Sequence, residues 1–315
     1  MMHTLSTQSI DNRTSQELSN LKECSAHEPI AHLQAQFKEQ GYLFIRSFFP
    51  ASEILQIKAR VVEALEKEGW GKFQGERFIA IEPVNRINSP AFHRCIAQIM
   101  KEESLHDLSQ SPLILTFLSA LLGETVYSHP RKMMRITYPY HLNPKDRIPP
   151  HQDLFYVKGE RDTFTAWIPL GEYPPEHGGL LVSPKTHKEG LFPTESSAEG
   201  RFGCNAVEKN IKEFTWCKAH YRPGDLLLMH SLTLHQAGIN ETDQFRLSLD
   251  CRYSSITKSI NADQLLPPYF PDVPDWNQLS KNWKNPDRFK VPTTLKILPK
   301  EQSLHEVMLT PSQFC

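Results

Sequence analysis

The sequence predicts an α+β chain, mainly β in its core, with a helical N-terminal third followed by a sandwich or jelly-roll barrel. Three observations carry this reading. Apolar residues recur at helical spacing before residue 123. From about 126 the chain breaks into short β-rich runs separated by Pro, Gly, Asn and Asp clusters. In "FRLSLDCRY" (245–253), Phe245, Leu247, Leu249, Cys251 and Tyr253 alternate strictly with Arg246, Ser248, Asp250 and Arg252. One face of that strand packs, and the other must meet water or a polar cavity.

Taken in order, residues 1–26 are polar and aperiodic and read as a flexible tail. Residues 27–315 form a single domain. A first helix is expected over 29–39, with Ile30, Leu33 and Phe37 on one face, and "GYLFIRSFF" (41–49) follows as a short apolar strand. A second helix starts near Pro50 and carries Ile54, Ile57, Val61 and Leu65 to a stop at Gly69. "SPLILTFLSALLG" (111–123) has Ser111 as N-cap, Pro112 at the first helical position and Gly123 just past the end. The barrel core spans about 126–255, built from "RKMMRITYPY", "TFTAWIPL", "GGLLVSP", "GDLLLMHSLTLH" and "FRLSLDCRY". The proline-rich 256–315 segment reads as a wrap.

With 315 residues, 39% hydrophobic and 23% charged, the chain has the composition of a globular protein with a substantial core. Its net charge of −1 gives no global field for nucleic acid or an anionic membrane. A small-molecule partner is expected, with no nucleic acid, no membrane, and a monomeric or homodimeric state. The six cysteines show no metal or disulfide spacing, and no secretory, transit or spanning segment is legible. The expected compartment is cytoplasmic, with reduced thiols.

The chemistry starts at "PPHQDLFYV" (149–157). In extended chain, residues i and i+2 share a face, so His151 and Asp153 can reach one metal ion. The triplet alone is a weak signal, because His187-Lys188-Glu189 offers the same geometry. A non-haem ferrous site needs a second histidine from elsewhere. "GDLLLMHSLTLHQAGIN" offers His230 and His235 on opposite parities of one alternating run, so both cannot face inward without a bulge, and the place of His235 at the strand end beside the "QAGIN" loop favours it only modestly. Arg246, on the polar face of the next strand, needs a carboxylate partner. A structural Asp would serve, and so would the distal carboxylate of 2-oxoglutarate.

"HQD", "TAWIPL", "EHGGLLVSPKTHKEG", "GDLLLMHSLTLHQAGIN" and "FRLSL" together resemble, in order and spacing, the phytanoyl-CoA dioxygenase (PhyH) family of Fe(II)/2-oxoglutarate oxygenases. The resemblance covers roughly residues 28–255. It implies a double-stranded β-helix, a cupin-like jelly roll with helices packed outside. It also implies Fe(II) held by His151, Asp153 and His235, 2-oxoglutarate clamped by Arg246, and O2 as oxidant. Trp167, Gln152 and Thr137 fall at positions that line the cosubstrate pocket in the family. Ala237 departs from the pattern, since family members often carry a small hydroxyl residue there. Thr233 or Ser248 is the candidate replacement. Met133 and Met134 sit on a strand expected to line the pocket.

The activity so implied is hydroxylation of an unactivated C–H bond of a small metabolite, with release of succinate and CO2. Desaturation, epimerisation, a carrier-bound or acyl-CoA substrate, and a non-catalytic binding jelly roll are the alternatives. Related halogenases carry a small residue where this chain has Asp153, which favours hydroxylation. The sequence shows no Lys/Arg cluster that would receive the phosphates of CoA, so a free small molecule is expected. Segments 72–88, 154–164, 190–215 and the C-terminal wrap are the expected substrate-facing parts.

Overall fold

The computed structural model describes residues 18–81, 89–144, 148–195, 205–206 and 214–315. Five helices fill the N-terminal part: α1 (Ile30–Gln40), α2 (Ala51–Lys67), α3 (Pro90–Met100), α4 (Glu103–Ser109) and α5 (Pro112–Leu122). The strands interleaved with and following them are β1 (Ser19–Asn20), β2 (Glu23–Cys24), β3 (Tyr42–Ile45), the hairpin β4 (Gly71–Gln74) and β5 (Arg77–Ala80), β6 (Val126–Ser128) and β7 (Met133–Thr137). After a one-turn helix α6 (Leu154–Val157) come β8 (Phe164–Pro169), β9 (Leu180–Val182), the small pair β10 (Thr194–Glu195) and β11 (Asn205–Ala206), and β12 (Cys217–Lys218). Then come β13 (Leu226–His230), β14 (His235–Ala237) and β15 (Arg246–Ser255), and the C-terminal segment adds the parallel pair β16 (Ser259–Asn261) and β17 (Lys296–Leu298).

Two sheets are stacked. The larger runs β2-β3-β13-β8-β15-β6, with β7 also paired to β15, and the smaller runs β1-β12-β9-β14. Strand alternation decides what each face meets. On the outer face of the large sheet, Leu43, Ile45, Ala166, Ile168, Leu226, Leu228, Leu247, Leu249 and Cys251 pack with Leu33, Phe37, Ile54, Ile57, Leu65 and Leu118 of the helices. On the inner face, Tyr42, Phe44, Trp167, Leu227 and Met229 meet Leu180, Val182, Cys217 and Tyr221 in a second core. The helices therefore cover one face of the large sheet, and the small sheet covers the other. Sheets and helices form a jelly-roll-like stack, and the described strands do not close into a barrel.

The expected helices 29–39 and 50–69 and the strand within 41–49 are all present. The 111–123 helix has Pro112 at its first position and Gly123 in the left-handed conformation (φ 75°). Ser111 occupies the N-cap position but makes no capping hydrogen bond, and its hydroxyl is buried without a partner among the described residues. The expected tail is shorter than residues 1–26. Ser19–Asn20 pair with β12 and Glu23–Cys24 with β3, burying Leu21 and Cys24, while residues 1–17 lie outside the described part. Alternation was too short to reveal these two-residue strands. Cys24, Cys95, Cys217, Cys251 and Cys315 are unpaired. No described helix is long and apolar enough to cross a membrane.

Candidate active site

His151 and His235 are brought together by backbone pairing. The His151 amide donates to the His235 carbonyl (2.9 Å) and the His235 amide to the His151 carbonyl (3.1 Å), an antiparallel bridge at the edge of β14. Their ring centroids lie 4.2 Å apart. Asp153 enters from the start of α6, with Oδ1 3.7 Å from His151 Nε2 and 4.0 Å from His235 Nε2. The three groups are buried and offer ligand atoms within 4.8 Å of one another.

The surroundings fix the protonation states a metal requires. His151 Nδ1 lies 2.8 Å from the Pro149 carbonyl, and His235 Nδ1 lies 2.9 Å from the Thr233 carbonyl. A carbonyl only accepts, so each Nδ1 carries the proton and each Nε2 lone pair points toward Asp153. Burial first, and then the neighbouring His235, push the His151 imidazole down to about 3, so it stays neutral. Burial works against a charged Asp153, but Arg252 and the Thr165 hydroxyl outweigh it and hold the carboxyl below its ordinary value. Thr165 Oγ1 donates to Asp153 Oδ2 (2.5 Å), and Arg252 Nη2 reaches both oxygens at 3.3 and 3.4 Å. Two imidazoles presenting Nε2 and one carboxylate form the donor set of a non-haem ferrous centre.

Arg246 lines a cavity together with His151, His235, Thr165 and Trp167. It is fully buried, and its Nη1 donates to Ser248 Oγ (2.7 Å). Its Nε and Nη2 have no partner among the described residues, nor has Trp167 Nε1, whose ring lies 5.8 Å from the guanidinium carbon. Burial lowers the Arg246 pKa to about 10, which still leaves it charged at neutral pH. A buried cation with two idle donors needs an anion. Among the described residues no Asp pairs with Arg246: the acid on the same face, Asp250, pairs with Arg135 and Arg252 instead.

Other expectations fare differently. Thr137 lies opposite Arg246 in register, on the same face of the sheet. Gln152 does not face the cavity. Its Nε2 donates to the Gly190 and Leu232 carbonyls (2.8 and 2.7 Å), and its Oε1 accepts from the Phe192 amide (2.7 Å). The expected cosubstrate contact is thereby corrected, because the position between two inward residues points outward, and there the amide ties two loops together.

The rival His187 packs against the end of α1, with Nε2 3.1 Å from the Lys38 carbonyl. His230 is held by Asp162 (3.1 Å) on the helix side of the large sheet. Thr233 donates to the Gly41 carbonyl (2.6 Å), which leaves Ser248, beside Arg246, as the hydroxyl near the pocket. Met134 joins the helix-side core, whereas Met133 lines a second cavity together with His151 and Asp153. Of the expected substrate-facing segments, Tyr156 and Val157 of 154–164 and Gln264 of the wrap line that cavity. Residues 82–88, 196–204 and 207–213 lie outside the described part.

Sequence reasoning missed that Arg131, Arg135 and Arg252 converge on this second cavity. They come from the β7 region and β15, so no run of basic residues signals them. The alternation of β15, which turns Arg252 to the polar face, was the available clue.

A family model described as Phytanoyl-CoA dioxygenase (PhyH) matches residues 37–248. The human peroxisomal phytanoyl-CoA dioxygenase is 25% identical over 230 residues, covering 70% of this chain and 66% of that protein's length, just under two thirds. The 1-deoxypentalenic acid 11-beta-hydroxylase of Streptomyces exfoliatus is 26% identical over 247 residues, covering 73% of this chain and 83% of the relative. Among solved structures, the epimerase SnoN in complex with Fe3+, alpha ketoglutarate and nogalamycin RO superposes with a TM-score of 0.53. It is 20% identical, and the match covers 73% of this chain and 85% of that one. The chain belongs to the phytanoyl-CoA dioxygenase (PhyH) family of iron- and 2-oxoglutarate-dependent oxygenases.

Proposed function

We propose that the protein hydroxylates an unactivated C–H bond of a small-molecule metabolite, converting 2-oxoglutarate and O2 to succinate and CO2. His151, Asp153 and His235 hold Fe(II), and Arg246 receives the distal carboxylate of 2-oxoglutarate. We read the two stacked sheets as the family's double-stranded β-helix, and the unpaired cysteines favour the cytoplasm. The observation that carries the reading is Arg246: a wholly buried guanidinium with two idle donors, lining the same cavity as His151 and His235 of the His–Asp–His cluster.

When bound, iron and 2-oxoglutarate supply the oxidising power. The chain supplies position and exclusion of water. The two backbone-anchored Nδ1 protons orient the imidazoles, and Thr165 with Arg252 holds the Asp153 carboxylate in place. Arg246 and Ser248 fix the cosubstrate's far end, with Trp167 as wall. A carboxylate at 153 occupies the position that related halogenases leave free, which favours hydroxylation. Mixing the protein anaerobically with Fe(II) and 2-oxoglutarate is expected to give a visible charge-transfer band. Folded protein that gives no band overturns the assignment, and succinate release against pooled metabolites then narrows the substrate.

A further inference from the structure

The second cavity, which shares Arg135, Ile148 and His151 with the first but is not lined by Arg246, has about 180 Å³ of space and mixes two kinds of wall. Met133, Ile148, Tyr156 and Val157 make it apolar, and Arg131, Arg135 and Arg252 make it cationic. The three guanidiniums are not equally committed. Arg135 Nε donates to Asp250 (2.7 Å), and Arg252 divides Nη2 between Asp153 and Asp250. Arg131 has only a carbonyl partner, Leu266 O at 3.2 Å from its Nε, and no carboxylate within ion-pair distance among the described residues. Asp263, the acid whose charge acts on Arg131, is itself paired with Lys300 at 3.0 Å.

Three cations therefore face two carboxylates. Fe(II) and 2-oxoglutarate carry equal and opposite charge, so loading the site leaves the excess positive charge in place. A partly desolvated guanidinium with idle Nη groups favours an anionic ligand over a neutral one. Placed across the cavity from an apolar wall and next to the metal-binding cluster, it suits one kind of molecule.

We propose that the primary substrate is a compact organic anion whose carboxylate or phosphate-type group binds Arg131, with its apolar body lying against Met133, Ile148 and Val157 beside the metal centre. The proposal rests on the oxygenase reading above. The space is below the roughly 300–1,000 Å³ of drug-sized pockets, which suits a small acid.

The test uses whole protein loaded anaerobically with Fe(II) and saturating 2-oxoglutarate, titrated with hexanoate, hexanamide or inorganic phosphate. Binding is read by calorimetry and by perturbation of the charge-transfer band. An anion is expected to bind at least about tenfold more tightly than the amide, without competing with 2-oxoglutarate. Hexanoate and phosphate tell a carboxylate site from a phosphate site. Arg131→Met is expected to abolish the preference and Arg131→Lys to keep part of it, both with the 2-oxoglutarate band unchanged. Equal binding of acid and amide, no binding of either anion, displacement of 2-oxoglutarate, or an undiminished preference in Arg131→Met each overturns the proposal. If the band is intact in those cases, the oxygenase reading survives; loss of the band in wild-type protein sinks both.

Discussion

Arg246 and Arg252 share one face of one strand, six residues apart in sequence, yet only Arg252 is matched by acids of the fold. Arg252 finds Asp153 and Asp250, while Arg246 keeps two donors unused. Charged hydrogen bonds are worth about 1.5–3 kcal/mol each. Arg246→Met is therefore expected to raise the 2-oxoglutarate requirement about 100-fold or more, measured as the apparent KM in succinate release. A KM within a few-fold of wild type would return Arg246 to a purely structural role. Thr165 acts through Asp153, which it orients by a 2.5 Å hydrogen bond. Thr165→Val should weaken Fe(II) binding by roughly 10–100-fold, and Asp153→Ala should abolish turnover in protein that remains folded. Fe(II) titration by the charge-transfer band checks the first and succinate release the second. The sequence marks His151, Asp153, His235 and Arg246 as candidates by spacing, and only the resemblance of five motifs in order singles them out, whereas Thr165 is not marked at all. The orientation of Gln152 is not legible there either. Its neighbours face inward, and only the structure shows that its amide closes on Gly190, Phe192 and Leu232.

At the scale of elements, β15 shows how far alternation carries. Its apolar parity packs under the helices and its polar parity lines both cavities, as the pattern in "FRLSLDCRY" required. The run 224–240 shows where alternation fails. It is not one strand: β13 ends at His230 in the large sheet, the chain crosses over 231–234, and His235 opens β14 in the small sheet. Parity across that crossing carries no information, so it cannot decide which histidine faces inward, and the preference for His235 rests on its place beside a loop. Helices α3 and α4 were also not anticipated, although Ser89 caps α3 by accepting from the Phe92 amide (3.1 Å) and Pro90 occupies its first turn. Gln152 belongs to this scale, since it ties the 190–192 loop to the crossing. Gln152→Leu leaves two buried carbonyls and one amide without their partner, at about 1–3 kcal/mol for each group. A lower melting temperature with unchanged 2-oxoglutarate affinity is expected. A selective loss of that affinity would restore a cosubstrate role for Gln152.

Across the whole molecule, buried histidines set the response to acid. His106, fully buried among Trp276, Trp283 and Phe289, and His129, hydrogen-bonded to Ser254, are pushed down to about 3 by burial and then by the charge of Lys132. The unfolded chain takes up these protons near 6.5, so stability falls as pH drops from 6.5 toward 3. Each ring contributes about 1.4 kcal/mol per pH unit in that window. His230 works in the opposite sense. Burial opposes its charge, but Asp162 and Cys315 raise its pKa, so its contribution is complete at acid pH and fades as pH rises. With His151 and His187 also pushed down by burial, to about 3 and about 4, at least four rings stand against His230, and the urea midpoint of metal-free protein should be clearly lower at pH 5 than at pH 7. Equal midpoints would show that those rings are not held neutral. The backbone bridge between residues 151 and 235 adds a kinetic consequence. Both imidazoles take their positions only when two distant stretches of chain meet at the seam between the sheets, a long loop closure that belongs to the slow part of folding. Iron is then a ligand of the finished fold alone, and its uptake during refolding is a clock for the moment the two sheets close on each other.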